Sequence, residues 1–400
     1  MLNAQVIGVG AAGNKGAIKL LESEVIRNPD DVMLINSTPK DIDQKYINMY
    51  KQIGDKKELG GCGKEPEVGK QLCLEALQSG SLNLENFIKP TTKLVIVISS
   101  TEGGTGSGAA PVIAKYIKQV IGVNVHIFAF LGFEDDARGL LNTINFFKEI
   151  PEDVTVEAIR NKNFLNGKGN YLKAEEEADK EMCTRISVLL GNLIIPSSQN
   201  MDDTDLYKVA TYPGFMNIEH IDIDEPVKNV QHFNEILKNL IDNTKSLRPD
   251  GASQKLLGVI INLPEREKDS IDYSCSEICN RYGKAFEKYM HVQSQDGVHS
   301  FIAFISAGMD LPYDEVKSIY DRYVNATQSV KKDKDAFFSQ LGDMNRDDSD
   351  NMFDLSSRKN NKTASNAFFE SFNLETPNRP TTNNKEEKKS SGKKGSMDNF

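Results

Sequence analysis

Ser99-Ser100-Thr101-Glu102-Gly103-Gly104-Thr105-Gly106-Ser107-Gly108 is the stretch on which the reading of this chain turns. The apolar run Leu94-Val95-Ile96-Val97-Ile98 leads into it. Behind it, Pro111 opens a helical pattern carried by Val112, Ile113, Tyr116, Ile117, Val120 and Ile121. The order is strand, glycine-rich turn, helix start. Residues without side chains let backbone N–H groups turn toward one point, and a helix N-terminus adds partial positive charge. Thr105 and Ser107 add hydroxyl donors. The stretch reads as an anion cradle suited to phosphate. A flexible Gly/Ser linker is the plainer alternative, and the apolar strand before it and the proline-led helix after it argue against that.

Working outward, residues 4–10 read as a buried strand, followed by a helix carrying Ala17, Ile18, Leu20, Leu21 and Val25 and then by the strand Val32-Met33-Leu34-Ile35. Strand–helix–strand order implies a parallel α/β sheet with its ligand at the C-terminal strand ends. Gly8-Val9-Gly10-Ala11-Ala12-Gly13 satisfies G-x-G-x-x-G in that context. A dinucleotide fold wants an acid at the end of the second strand, where this chain has Asn36-Ser37-Thr38. No G-x-x-x-x-G-K-[ST] occurs either. A third turn spans Gly60 to Gly69, and the strand over 123–130 ends in Leu131-Gly132-Phe133-Glu134. Residues 178–193 carry a helical stripe. Residues 255–262 and 299–307 read as strands of a second domain, with an amphipathic helix near Ile278, Tyr282, Phe286 and Tyr289 between them and another helix over 313–329.

The chain has 400 residues, 38% of them hydrophobic and 26% charged, with a formal net charge of −10. Two or three domains with sizeable cores fit that length. The acidic balance argues against a folded body that coats nucleic acid. No run of about 18 apolar residues offers a membrane span, and the N-terminus starts directly in a strand without signal-peptide anatomy. Cys62, Cys73, Cys183, Cys275 and Cys279 are odd in number and form no Cys-x-x-Cys, so a reduced cytoplasm is expected and a zinc site is not.

Three glycine turns at strand ends, in this order, resemble the tubulin/FtsZ superfamily of filament-forming GTPases. Gly103-Gly104-Thr105-Gly106-Ser107-Gly108 is similar to its signature, with Glu102 where the family usually has glycine. Gly10-Ala11-Ala12-Gly13-Asn14 looks like the opening phosphate loop, Asn36 sits in the second loop, and Cys62 and Gly63 lie in the loop that senses the γ-phosphate. The resemblance implies that Glu134 holds the ribose, Arg138 lies by the guanine, and Asn161 and Asp179 read the base. A carboxylate accepts from both guanine N1 and N2, donors that adenine lacks. Tyr171 is the plausible stacking partner where the family's Phe is replaced by Glu175. Asn217-Ile218-Glu219-His220-Ile221-Asp222 resembles the synergy loop Asn-x-Asp-x-x-Asp, whose acids enter the next subunit's site and polarise the attacking water. Glu219 and Asp222 are therefore the expected catalytic pair, with GTP, GDP and Mg²⁺ held through the phosphates. A charge at Glu102 beside the phosphates is expected to slow nucleotide binding or to demand Mg²⁺ tightly.

The implied architecture is an α/β, Rossmann-like parallel-sheet GTPase domain over 1–178, a core-helix and synergy-loop region over 179–250 and a second α/β domain over 251–312. A C-terminal helix over 313–340 and a disordered tail over 341–400 complete it. The tail opens acidic, with Asp343, Asp347, Asp348, Asp350 and Asp354, and ends in a basic tip of Lys385, Lys388, Lys389, Lys393 and Lys394. Phe368-Phe369-Glu370-Ser371-Phe372 is an apolar cluster within it. Division proteins usually end in a short apolar-plus-basic peptide, and this tail has no clear copy. The long terminal helix and lysine-bearing tail are more similar to the plasmid and phage TubZ branch. The expectation is a self-assembling motor that segregates DNA through a DNA-binding adaptor on the tail, with an FtsZ-like division protein as the alternative.

Overall fold

A computed structural model describes residues 2–54, 61–165, 169–195, 201–247, 254–268, 284–294 and 299–341. The apolar runs form one ten-stranded sheet. Its first half holds β1 (Ala4–Val9), β2 (Val32–Asn36), β3 (Tyr50–Gln52), β4 (Leu94–Ser100), β5 (Asn124–Leu131) and β6 (Thr155–Arg160). The second half holds β7 (Gly214–Ile223), β8 (Gln254–Asn262), β9 (Ala285–Gln293) and β10 (Ser300–Met309). The spatial order is β3-β2-β1-β4-β5-β6-β7-β10-β8-β9. All neighbours pair parallel except β10, which is antiparallel to both β7 and β8. Strands buried on both faces read as continuous apolar runs, as Leu94 to Ile98 does.

The helices are α1 (Gly10–Glu22), α2 (Pro66–Ser79), α3 (Leu84–Phe87), α4 (Thr105–Tyr116), α5 (Ala137–Glu149), α6 (Tyr171–Leu190), α7 (Asp203–Ala210), α8 (Val230–Asp242), α9 (Glu265–Lys268) and α10 (Tyr313–Leu341). One face of the sheet buries Val9, Val95 and Val97 under α2, α4 and α5. On the other face, Val6, Ile96, Ile98 and Phe130 pack with Ala178, Met182, Ile186 and Leu189 of α6. The same cluster takes in Met216, Ile260 and Ile305, so α6 is shared by both halves of the sheet. Phe233 and Leu237 of α8 pack with Val259, Ile261 and Phe304 in a third cluster.

Several sequence expectations change here. Helix α4 starts at Thr105, not Pro111; the proline lies inside it, and Ala110, Pro111 and Val112 are all buried. The core helix begins at Tyr171 rather than 178. The strands of the expected second domain continue the first sheet, since Thr155 and Val156 of β6 pair with Gly214 and Phe215 of β7. Phe286 and Tyr289 lie on strand β9, not on a helix, while Ile278 and Tyr282 fall outside the described residues. The tail beyond Leu341, with its apolar cluster and basic tip, also lies outside them. Among the described residues no helix is long and apolar enough to cross a membrane.

Candidate nucleotide site

Three helices begin at one edge of the sheet without a side-chain cap: α1 after Val9, α2 after Glu65 and α4 after Gly104. By contrast α3, α5, α6, α7 and α8 are capped by Asn83, Asp136, Asn170, Asp202 and Asn229. Uncapped first-turn N–H groups are anion donors. The turns that carry them touch. Gly10 adopts φ +77°, and a β-carbon on it would lie 2.9 Å from Gly106 N. A β-carbon on Gly104 would lie 2.8 Å from both Cys62 Cβ and Glu65 N. Glycine is therefore a steric requirement where these turns meet.

Polar side chains finish the cradle. Asn14 is buried; its Oδ1 accepts from Ile35 N at 3.1 Å and its Nδ2 has no partner. Asn36 Oδ1 accepts from Ser37 N at 2.9 Å, shaping the turn after β2. Ser37 Oγ and Thr105 Oγ1 are 2.9 Å apart, and Thr105 Oγ1 donates to Cys62 Sγ at 3.3 Å. Ser107 Oγ donates to Gly103 O. The turn around Gly63 is tied to α5: Asn142 Nδ2 donates to Lys64 O at 3.0 Å, Arg138 Nε donates to the same oxygen at 3.2 Å, and Arg138 pairs with Glu65.

Midway along α6, Asp179 is buried with Lys15 Nζ 3.3 Å away. Burial raises its carboxyl and Lys15 pulls it back. Asn161, just past β6, has a buried Oδ1 without a partner. Tyr171 meets the Phe133 ring edge-on at 4.4 Å. An orphaned donor on Asn14 and an orphaned acceptor on Asn161 suit phosphate oxygens and base N–H groups respectively.

Residues 3–166 match the Tubulin/FtsZ family, GTPase domain. Those residues are thus similar to a tubulin/FtsZ GTPase domain. The whole described fold is similar to CetZ1 from Haloferax volcanii, a GDP-bound monomer, at 18% identity and TM-score 0.65, covering 82% of this chain and 100% of that one. It is similar to Clostridium botulinum phage c-st TubZ at 17% and 0.63, covering 82% and 98%. It is also similar to a GTPγS-form protofilament of Bacillus thuringiensis serovar israelensis TubZ at 16% and 0.64, covering 85% and 95%. The nucleotide of a tubulin/FtsZ GTPase domain is GTP, with GDP as its product and Mg²⁺ as the usual partner.

Two expected tubulin/FtsZ roles meet obstacles. Glu134, at φ +60°, has a wholly buried side chain turned toward α10. Its Oε1 accepts from Arg160 Nε at 2.9 Å, and Lys162 and Arg322 donate to Oε2. Burial would raise this carboxyl, but Arg322, Lys162 and Arg160 hold it down at about 2. Glu134 thus ties β5, β6 and α10 together and presents no open face to a ribose. Glu102 does not point at the phosphates: its Oε1 accepts from Glu134 N at 2.9 Å, and its carboxylate fills the space beside Gly132 and Gly139.

The expected catalytic pair is corrected outright. Residues 217–222 form part of strand β7, not a loop. Glu219 is 3% exposed; Arg185 Nη2 stands 3.3 Å from its Oε2 and Thr244 donates to its Oε1. Asp222 is exposed, but β7 runs parallel to β6, so both acids lie toward the same sheet edge as the cradle. The resemblance requires the acids at the opposite end.

That opposite end carries Asp202 and Asp205 of a literal Asn-x-Asp-x-x-Asp in the sequence, Asn200-Met201-Asp202-Asp203-Thr204-Asp205. Asn200 falls outside the described residues. Helix α6 runs from Tyr171 through Asp179 to Leu190, whose carbonyl accepts from Leu2 N at 3.0 Å, ahead of β1. From Asp179 to its end the helix rises about 17 Å. Gly191 ends it in the left-handed conformation, with Leu206 of α7 packed against the turn. Asp202 is exposed and caps α7, accepting from Thr204 N at 2.8 Å and Asp205 N at 2.9 Å.

Proposed function

We propose that this chain binds GTP across the turns at Gly10, Gly63 and Gly104–Ser107, assembles head to tail, and hydrolyses GTP where Asp202 and Asp205 of the next subunit reach the cradle. The observation that carries the reading is the position of this acid pair, at the sheet edge remote from the cradle and on the first turn of a capped helix. A carboxylate pair there can orient water and take its proton, while Mg²⁺ neutralises phosphate charge. Asn161 and Asp179 supply guanine specificity, and Arg138 borders the site through its hold on the Gly63 turn. Pelleting full-length chain with GTP and with a non-hydrolysable analogue tests assembly; no polymer in either condition contradicts it.

Within the superfamily we favour DNA segregation over division. The basic tip Lys385–Lys394, on a tail after a long terminal helix, suits an acidic or DNA-bound adaptor. Deleting 381–400 leaves GTPase activity intact and abolishes retention of the chain's own replicon in dividing cells. Normal retention sinks the segregation role, and a mid-cell ring of tagged protein points to division instead.

A further inference from the structure

An apolar groove runs between α5 and α10, with a cavity of about 370 Å³. Ile144 and Phe147 form one wall, and Leu311, Tyr313, Val316 and Tyr320 form the other. Leu311 is 43% exposed, Tyr313 70% and Tyr320 41%, so three large apolar side chains stand open on one rim. A second cavity of about 260 Å³ continues past Phe147 and Leu311 to Phe215 and Met309. Apolar surface concentrated in this way marks an interaction site.

The same chain carries an apolar segment in its tail sequence, outside the described residues. Phe368, Phe369, Phe372 and Leu374 interrupt a tail otherwise rich in Asn, Ser, Thr and Lys. Positions i, i+1 and i+4 share one face of a helical turn, the pattern by which a short helix enters an apolar groove. Glu370 and Glu375 flank the phenylalanines, and Lys148 and Lys317 flank the groove, with Asp321 beyond Tyr320. Reach decides whether the chain's own segment can return. From Leu341 back to Tyr313, α10 measures ~42 Å. Phe368 lies about 27 residues beyond Leu341, a span of up to ~90 Å when extended.

We infer that Phe368–Leu374 docks into the α5–α10 groove of its own chain. The segment that precedes the basic tip is thereby held on the body, and the groove is closed to other apolar partners until the segment leaves.

The test uses the full chain. A fluorescein-labelled synthetic peptide of residues 364–378 is titrated into wild type and into the variant Phe368→Ser/Phe369→Ser/Phe372→Ser. A tethered segment competes at an effective concentration on the order of millimolar. The peptide therefore binds the variant at least tenfold more tightly than wild type. Adding Leu311→Glu and Tyr313→Glu, both at exposed positions, removes peptide binding while the circular dichroism spectrum and urea midpoint stay unchanged. Equal peptide affinity in wild type and the triple variant overturns the inference, as does binding that survives the groove substitutions. Competition in wild type that fades on dilution assigns the groove to a second copy and overturns docking within one chain.

Discussion

Asp202 and Asp205 hold each other at the first turn of α7: Asp202 Oδ1 accepts from Asp205 N at 2.9 Å, and Asp205 Oδ2 accepts from Asp202 N at 3.3 Å. This capping box fixes both carboxylates on a rigid helix end while leaving Asp202 exposed. Rigidity matters because a water-orienting carboxylate loses rate steeply with misplacement.

Replacing both acids by Asn separates chemistry from folding. Asn is as good an N-cap as Asp, so stability changes by no more than ~0.5 kcal/mol. Loss of the proton acceptor lowers turnover by about 10²–10⁴-fold. GTP affinity stays at the wild-type value, because the cradle is untouched. A Gly106→Val variant has the converse defect, since even a β-carbon there would lie 2.7 Å from Ser99 Oγ and 3.0 Å from Val9 O. Mixing the two inactive variants restores turnover, because an intact cradle meets intact acids wherever they alternate. Absence of recovery in a mixture that still pellets would falsify completion in trans.

The knot at Glu134 ties α10 to the ends of β5 and β6. Arg322→Met removes one of three cations from a buried carboxylate, and the cost at pH 7 is about 1–3 kcal/mol in urea unfolding. The Glu134 pKa is depressed to about 2, so its stabilising contribution is present above its ordinary value near 4.5 and lost as pH falls through 2. The gap between wild type and Arg322→Met therefore narrows as pH falls from 4.5. A gap independent of pH would show that Arg322 acts through packing alone.

The cradle was legible because glycine at a strand end before a helix has few other uses, and contact between the turns at Gly10, Gly104 and Gly106 supplies the reason for each. The acid pair was equally present in the sequence, but surface acids in a polar stretch carry no periodicity to draw the eye. Asn217 to Asp222 resembles the synergy loop by the spacing of its acids, and nothing in that spacing tells of a strand; Glu219 is accommodated inside β7 by Arg185, 34 residues away and itself wholly buried. Phe286 and Tyr289, three apart, fit a helical stripe, yet β9 pairs Tyr289 with Gly258 in register. Side-chain direction was the other blind point. Glu102 belongs to the glycine turn in sequence and to the β5 turn in space.

Glu102 provides a direct test of that direction. Glu102→Gly removes the acceptor for Glu134 N and the filling beside Gly132, destabilising the chain by about 1 kcal/mol. Affinity for GTP and its Mg²⁺ dependence stay within about twofold, because the carboxylate faces away from the cradle. A sharp change in the Mg²⁺ requirement, measured by titration at fixed GTP, would return Glu102 to the phosphates.

A last prediction concerns the buried pair His126 and Glu157, on adjacent strands with Nε2 and Oε2 3.9 Å apart. Arg185 Nη1 donates to Glu157 Oε1 at 2.6 Å, and Glu181 and Glu219 also contact Arg185. Burial pushes His126 down to about 3; it pushes Glu157 up to about 7 against the pull of Arg185. Below pH 6.5 the unfolded chain takes a proton on His126 that the folded chain refuses, so this contribution to stability falls as pH drops toward 3. Glu157 acts oppositely. Between 4.5 and 7 the folded chain holds a proton that the unfolded chain lacks, so its contribution is full below 4.5 and lost as pH rises through 7. The two oppose each other between 4.5 and 6.5. His126→Phe removes one side of that balance. Its stability relative to wild type therefore rises by about 2 kcal/mol between pH 8 and pH 5, at 1.36 kcal/mol per pH unit below 6.5. Urea midpoints at the two pH values measure the difference, and a variant that tracks wild type at both would place a charged His126 in the folded chain.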